Sequence, residues 1–356
     1  MLKSTVLFYV VLCLTCAFTS VSSLKLSKTE VDTAFETFKK TYNKSYQTPE
    51  IEEYRKKVFI NNLGVIEEIN DNAETFVAGI TKFTDNTQSE ISKNLLTYRE
   101  EEETNIPGGI VITSLIQSKK LKNRTRQASC TLITPSILST VVDYRTTGIL
   151  SPIRDQGWCG CCWAYGTIFQ LEYYYRKKTG TQIDLSVQEL VDCNTGNFAC
   201  DGGTLSKSMS FQQTWNATPA DSYPYIDGKG TCKFASAAAV TPAVATLLNT
   251  PTTLLGATTD AIVNALKTNG PLLTTVDSTY LPFYVSGIFD PAAFQYDCLT
   301  ANHAVNIVGA GIDPITNKVY YIIRNSWGLT WGENGYFRIF ACVCKIGARS
   351  MYATMK

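Results

Sequence analysis

Residues 156–166 read "QGWCGCCWAYG" and put three cysteines, Cys159, Cys161 and Cys162, within four positions, where a helix-like run opens. Apolar positions continue through Tyr165, Ile168, Leu171 and Tyr174. Basic residues then close the run, and Gly180 stands where a helix would end. Such a cluster has four readings: a metal site, a redox pair, part of a disulfide framework, or a nucleophile. Zinc needs three or four ligands. Cys159 and Cys162 have the C-x₂-C spacing, but no second such pair follows and His303 is the chain's one histidine. No metal is therefore expected. A thioredoxin-like pair needs its C-x-x-C after the strand of a βαβ unit, which this region lacks.

The nucleophile reading needs a base. A cysteine in the first turn of a helix has its thiolate stabilised by unpaired N–H groups and by the helix dipole. A lone histidine in a strand-like run, as in "NHAVNIVGAG", is ordinarily structural. It serves as a base when a side-chain acceptor orients its ring. Asn325, in "RNSWG", can do this from a neighbouring strand. Gln156, six residues before Cys162, is the amide that can join a backbone N–H in binding an oxyanion.

The rest of the 356-residue chain bounds the setting. It is 44% hydrophobic and 18% charged, with a formal net charge of +1 and no long basic or acidic block, so nothing calls for nucleic acid. Residues 1–23 combine Lys3, an apolar run and small residues, the pattern of a signal peptide too short to span a bilayer comfortably. No membrane association is expected after its removal. Ten cysteines remain beyond it, and an oxidising compartment would bridge many of them. Asn43, Asn123 and Asn216 are candidate glycan acceptors.

Residues 24–98 are highly charged and helical in places. Val31, Phe35, Phe38 and Tyr42 fall near one face, and a second run recurs through Tyr54, Val58, Leu63 and Ile66, with Thr48 as cap and Pro49 as its start. Residues 99–135 carry charge runs with Pro and Gly and read as an exposed, poorly structured connector. From residue 136 onward helices come first, with "DLSVQELVDC" and "AIVNALKTNG" as further candidates. Strand-like runs follow: "GPLLTTVDS", "HAVNIVGAG", "VYYIIRNSW" and "GYFRIF". This is an α+β arrangement of two packed parts.

Taken together, "QGWCGCCWA", "SVQELVDC", "CDGG", "NHAV" and "NSWGLTWGENGY" resemble the papain-like cysteine peptidases of the cathepsin L type, in the family's order and over residues 141–356. The resemblance implies a two-domain fold, a helical left domain and an antiparallel β-barrel-like right domain, behind a mainly helical propeptide. It implies a cysteine endopeptidase without a cofactor, made as an autoinhibited zymogen. Its expected partners are protein and peptide substrates and its own propeptide as inhibitor, and the mature enzyme is expected to be a monomer.

Carried over to this chain, Cys162 is the nucleophile, His303 the base and proton donor, Asn325 the orienting residue and Gln156 the oxyanion amide. Trp327 shields the Asn–His contact. Trp331 lines the leaving-group side, and Gly202 and Gly203 hold an extended substrate strand. Leu205, Thr275, Ala301 and Arg349 fall in the pocket for the side chain two positions before the cut. The implied disulfides are Cys159–Cys200, Cys193–Cys232 and Cys298–Cys344, leaving Cys130, Cys161 and Cys342. Cys161 departs from the usual serine; a small buried residue in its place is the simpler reading, and a pairing of Cys130 with Cys342 stays open.

The front of the chain resembles the family's inhibitory propeptide through Arg55, Phe59, Asn62, Ile66, Asn70, Gly79, Phe83 and Asp85. Ile51 stands where a glutamate is usual, and Thr81 where an asparagine is usual. The expected segments are a signal peptide (1–23), propeptide domain (24–98), connector (99–135) and peptidase domain (136–356). The destination is the secretory pathway, ending in a lysosome-like compartment, a digestive vacuole or outside the cell. An inert binding homologue is the alternative, and it would normally lack one of Cys162, His303 and Asn325.

Overall fold

A computed structural model describes residues 25–100, 110–113, 142–214, 217–233, 249 and 251–353. The signal segment, Asn123, Cys130 and Asn216 lie outside these. The front of the chain forms helices α1 (Lys28–Thr41) and α2 (Pro49–Asn72), strand β1 (Phe76–Ala78) and helix α3 (Gln88–Asn94). The caps follow from sequence. Ser27 and Glu30 form a capping box on α1, Thr48 accepts from the Ile51 N–H with Pro49 opening α2, and Thr87 and Glu90 form a second capping box on α3. Phe35, Phe38 and Phe59 are buried together, with ring centroids 5.3 Å apart for Phe35–Phe59 and 5.0 Å for Phe38–Phe59.

The anticipated propeptide residues tie the second half of this region to α2. Arg55 reaches both Glu90 carboxylate oxygens (2.9 and 2.8 Å) and the Asp85 carbonyl (3.1 Å). Asn62 donates to the Thr84 and Asn86 carbonyls, and Asn70 both donates to and accepts from Ala78. Asp85 takes Lys44 and Tyr46. The two departures are accommodated. Thr81 is buried and donates to the Pro282 carbonyl, while Ile51 is exposed and the adjacent Glu52 pairs with Lys39.

A strand β2 (Ile110–Thr113) follows within the connector, where no regular element was expected. Next come β3 (Val142–Asp143), the helices α4 (Cys162–Thr179), α5 (Val187–Cys193) and α6 (Leu205–Thr214), then β4 (Thr252–Leu255), α7 (Thr259–Asn269) and β5 (Leu272–Val276). The chain ends in β6 (Tyr284–Phe289), β7 (His303–Ile312), β8 (Val319–Arg324), β9 (Tyr336–Phe340) and β10 (Arg349–Tyr352). The sheet runs β1-β6-β9-β8-β7-β5-β10-β4-β2, with β3 also on β7. It is antiparallel except at β6–β9 and β2–β4, which are parallel. Both ends of this order come from the front of the chain, so β1 and β2 cover the edges that the following domain would otherwise leave unpaired.

Helix α4 is buried from Cys162 to Tyr174 and ends at Gly180, whose φ of 74° suits glycine. It crosses the sheet where a side chain would not fit: a Cβ on Gly166 would lie 2.5 Å from Leu273, and the Gly166 carbonyl accepts from Asn306 at 3.1 Å. One apolar cluster surrounds α4, α5 and Leu205, and another fills the sheet side with α7 and the propeptide aromatics. Replacing Arg55 with Ala removes three charge-assisted hydrogen bonds. It should lower precursor stability by about 2 kcal/mol while leaving the matured enzyme unaffected. Paired thermal melts of the precursor and matured forms check this, and an equal loss in both would contradict it.

Candidate active site

Cys162 is the first residue of α4 and His303 the first of β7, so the α4–β7 packing brings together groups 141 positions apart (303 − 162). Both are fully buried. The backbone N–H groups of Ala304, Trp163, Thr97 and Cys162 itself favour the thiolate, but burial outweighs them and pushes the Cys162 thiol up to about 11. Burial likewise lowers His303 to about 4, against its hydrogen bond to Asn325 and the nearby Leu95 carbonyl. In the precursor the two groups are therefore neutral, and His303 Nδ1 has no hydrogen-bond partner.

His303 Nε2 lies 2.8 Å from Asn325 Oδ1, so it is the protonated nitrogen that donates. Trp327, fully buried, stacks on the ring at a centroid distance of 4.8 Å. Trp331 sits edge-on behind Trp327 at 4.7 Å and donates to the Leu281 and Pro282 carbonyls. Gln156 is fully buried. Its Nε2 donates to the Cys159 carbonyl at 3.1 Å, while its Oε1 accepts from Ser326 Oγ at 2.7 Å. Ser326 also gives its N–H to Asn325 Oδ1 at 2.8 Å and accepts from the Gln156 N–H at 2.8 Å. Ser326 is a functional contact that no motif residue marks. Its only signal was its place between Asn325 and Trp327, whereas its hydroxyl decides which way the Gln156 amide faces.

The expected disulfides Cys159–Cys200, Cys193–Cys232 and Cys298–Cys344 are all present. Cys342 is also disulfide-bonded, and the suggested partner Cys130 lies outside the described residues. Cys161 is a buried free thiol 3.2 Å from the Tyr225 hydroxyl, the setting of a small core residue. Asn43 is exposed with a φ of 50°, accessible to a glycan.

Gly202 and Gly203 lie beside the loop that carries Gly160 and Trp163, and Gly202 has a φ of 105°. A Cβ on Gly202 would fall 1.9 Å from the Thr97 carbonyl, so the close approach of this backbone needs glycine. Leu205 and Ala301 are buried in the α4 cluster together with Met351. Ser350 pairs with Thr274 and Met351 with Leu273, so alternation puts Thr275 and Arg349 on the face that carries Leu273 and Met351. Arg349 is buried.

The segment over this site comes from residues 97–99, just beyond α3. The Tyr98 N–H donates to the Asn302 carbonyl at 2.9 Å and the Arg99 N–H to the Gly203 carbonyl at 3.1 Å, and Tyr98 forms a parallel bridge with Gly203. Thr97 Oγ1 donates to the Gly160 carbonyl at 2.7 Å. On the other side of Cys162, Phe83 meets Trp327 edge-on at 5.3 Å, and Lys82 pairs with Asp155 at 2.5 Å. None of these contacts was foreseen residue by residue.

The geometry is that of a thiol peptidase held shut by its own N-terminal domain. The papain family cysteine protease model matches residues 138–354, and the cathepsin propeptide inhibitor domain model matches residues 35–91. The chain belongs to the papain family of cysteine proteases and carries that family's inhibitory propeptide domain. It is 33% identical to a viral cathepsin of Adoxophyes honmai nucleopolyhedrovirus over 86% of this chain and 85% of that protein. It is 32% identical to a cathepsin L-like proteinase of Phaedon cochleariae over 85% and 86%. Digestive procathepsin L 3 from the Tenebrio molitor larval midgut superposes with a TM-score of 0.73 at 27% identity, over 91% of this chain and 99% of that one. The protein is thus a cysteine-type peptidase acting on protein and peptide substrates, of the secretory, lysosomal or digestive group.

The closed form binds His303 neutral, whereas an exposed imidazole protonates near its ordinary value of 6.5. The open form then binds more protons, so closure holds above about pH 6.5 and weakens as pH falls toward 4, by about 3 kcal/mol at the limit. Tryptophan fluorescence of a Cys162→Ala precursor should report opening within that window. A His303→Ala version should lose that pH dependence.

Proposed function

We propose that this chain is an endopeptidase precursor in which Cys162, His303, Asn325 and Gln156 carry the chemistry. The observation that carries this reading is the continuous link Gln156–Ser326–Asn325–His303, anchored beside a thiol at the head of α4. Once the propeptide leaves, water returns to the cleft. The cost of charging both groups falls, and Cys162 and His303 can form a thiolate–imidazolium pair supported by the first-turn N–H groups.

Cys162 attacks a peptide carbonyl, and the oxyanion is met by the Cys162 N–H and the Gln156 amide. His303 gives its proton to the departing amine, leaving an acyl-enzyme. A water activated by His303 then releases the acid and regenerates the thiol. Asn325 keeps the ring turned toward the sulfur, and Trp327 keeps that hydrogen bond dry. Residues 1–23 serve as signal peptide, 24–98 as inhibitory domain, 99–135 as the region cut during maturation, and 136–356 as the enzyme. The bridges Cys159–Cys200, Cys193–Cys232 and Cys298–Cys344 support an oxidising route. The digestive and cathepsin names among its relatives favour a lysosome-like or digestive compartment.

Gly202 and Gly203 take the substrate strand, with Leu205, Thr275, Ala301 and Arg349 around the side chain two positions before the cut. Leu205 and Ala301 favour an apolar residue, and Arg349 improves tolerance of an acidic one. Trp331 supports the leaving-group wall through Trp327. Matured wild-type enzyme should cleave a fluorogenic peptide with Leu at that position, and Cys162→Ala should be inactive. Gln156→Ala should lose about 10²-fold or more in kcat with little change in KM. Retained activity in Cys162→Ala would refute the assignment. A Leu/Glu preference unchanged in Arg349→Ala would remove Arg349 from the pocket.

A further inference from the structure

Lys82 is a propeptide residue, yet its contacts mark a feature of the enzyme beneath it. Its ammonium pairs with Asp155 Oδ2, next to the Gln156 amide. Asp155 holds its other oxygen on the Gly157 N–H at 3.0 Å and forms an isolated bridge with Trp327. A Cβ on Gly328, where φ is 77°, would fall 2.6 Å from Asp155 Oδ2, so the carboxylate lies in a notch that only glycine leaves open. Asp227 adds a second carboxylate. Its Oδ1 accepts from the Trp158 and Cys159 N–H groups at 2.8 and 3.1 Å, and it attracts the Lys82 charge. Burial lowers the proton affinity of Lys82, and Asp155 opposes that most strongly. Apolar contact comes from Phe83, edge-on to Trp158 and Trp327.

The direction of the propeptide locates this notch relative to the cut. Tyr98 and Arg99 occupy the Gly203 side, which holds substrate residues before the scissile bond, and Thr97 covers Cys162. Lys82 and Phe83 lie on the opposite side, with Trp327 and Trp331. That is the leaving-group side.

The geometry points to a subsite formed by Asp155, with Asp227 behind it, that selects a lysine or arginine side chain among the first leaving-group residues of the substrate. Lys82 fills that subsite in the precursor. This rests on the peptidase reading above and adds a substrate class to it. Cleavage would favour proteins with a basic residue shortly after the cut, because an acidic residue there meets two carboxylates and an apolar one leaves Asp155 Oδ2 without its cation.

The test uses matured enzyme and quenched fluorescent peptides of one sequence, with Leu second before the cut. Lys, Arg, Leu or Glu is placed in turn at each of the first four positions after it. At one position Lys and Arg should exceed Glu by about fivefold or more in kcat/KM, and the ratio should shrink as salt screens the pair. Asp155→Asn, which keeps an acceptor for the Gly157 N–H, should bring that ratio close to one, and Asp155→Lys should invert it. A flat series in an enzyme that cuts the Leu reference peptide, or a ratio that survives Asp155→Asn, overturns the subsite and leaves Lys82 as a seat for the propeptide alone. Failure to cut the reference peptide at all overturns the peptidase reading and the subsite with it.

Discussion

The site depends on how closely α4 approaches β7. At Gly166 the helix has no side chain, and its carbonyl takes the Asn306 amide from the middle of the strand. A Cβ there would collide with Leu273, so a larger residue would lift the helix off the sheet. Because Cys162 and His303 begin these two elements, any such displacement would move the thiol away from the imidazole. The same interface buries Arg324, which donates to the Ser151 and Pro152 carbonyls, and Glu172, which takes Arg154 and the Leu185 N–H. Removing one member would strand the others in a low-dielectric space, so these groups hold the two halves in one register.

Inhibition follows from the same placement. The segment at Tyr98 and Arg99 bridges parallel to Gly203 and gives its N–H groups to the Asn302 and Gly203 carbonyls. It also excludes water, and in that dry setting neither thiolate nor imidazolium is favoured. The segment over Cys162 therefore blocks access to the thiol, and burial disfavours the charged forms of Cys162 and His303. The N-terminal part of the chain also reaches beyond this site, since β1 and, from the connector, β2 complete the two edges of the sheet.

Elements with a clear period were legible before the fold was known. Helices α1, α2, α4, α5 and α7 have apolar faces or end signals, including Thr48, Gly180 and Gly270. Strands β5, β7, β8 and β9 appear as β-branched and aromatic runs. Those missed lack such a signal for identifiable reasons. Helix α6 is rich in Ser and Gln, and buries Ser206 and Ser208 beside Leu205 and Met209. Strand β6 has Gly287 in its interior with a φ of 98°, required because the Thr75–Phe76 backbone passes within 2.5 Å of where a Cβ would sit. Strand β2 is defined by pairing with β4, a partner 142 positions later (252 − 110), which no local pattern records.

For the site, Gln156, Cys162, His303 and Asn325 were named from residue type and the family resemblance, and the fold links His303 to Asn325 and Gln156 to Ser326. Each belongs to a motif whose order along the chain is independent of packing. Sequence likewise marked the three disulfide pairs through the family resemblance, and the propeptide through its helical signature. Tertiary structure alone decided that Ser326 turns the Gln156 amide, that Thr97 seals the thiol, and that Lys82 reaches Asp155. These are contacts between segments far apart in the chain. Their energies depend on burial and distance, which exist only once the chain has folded.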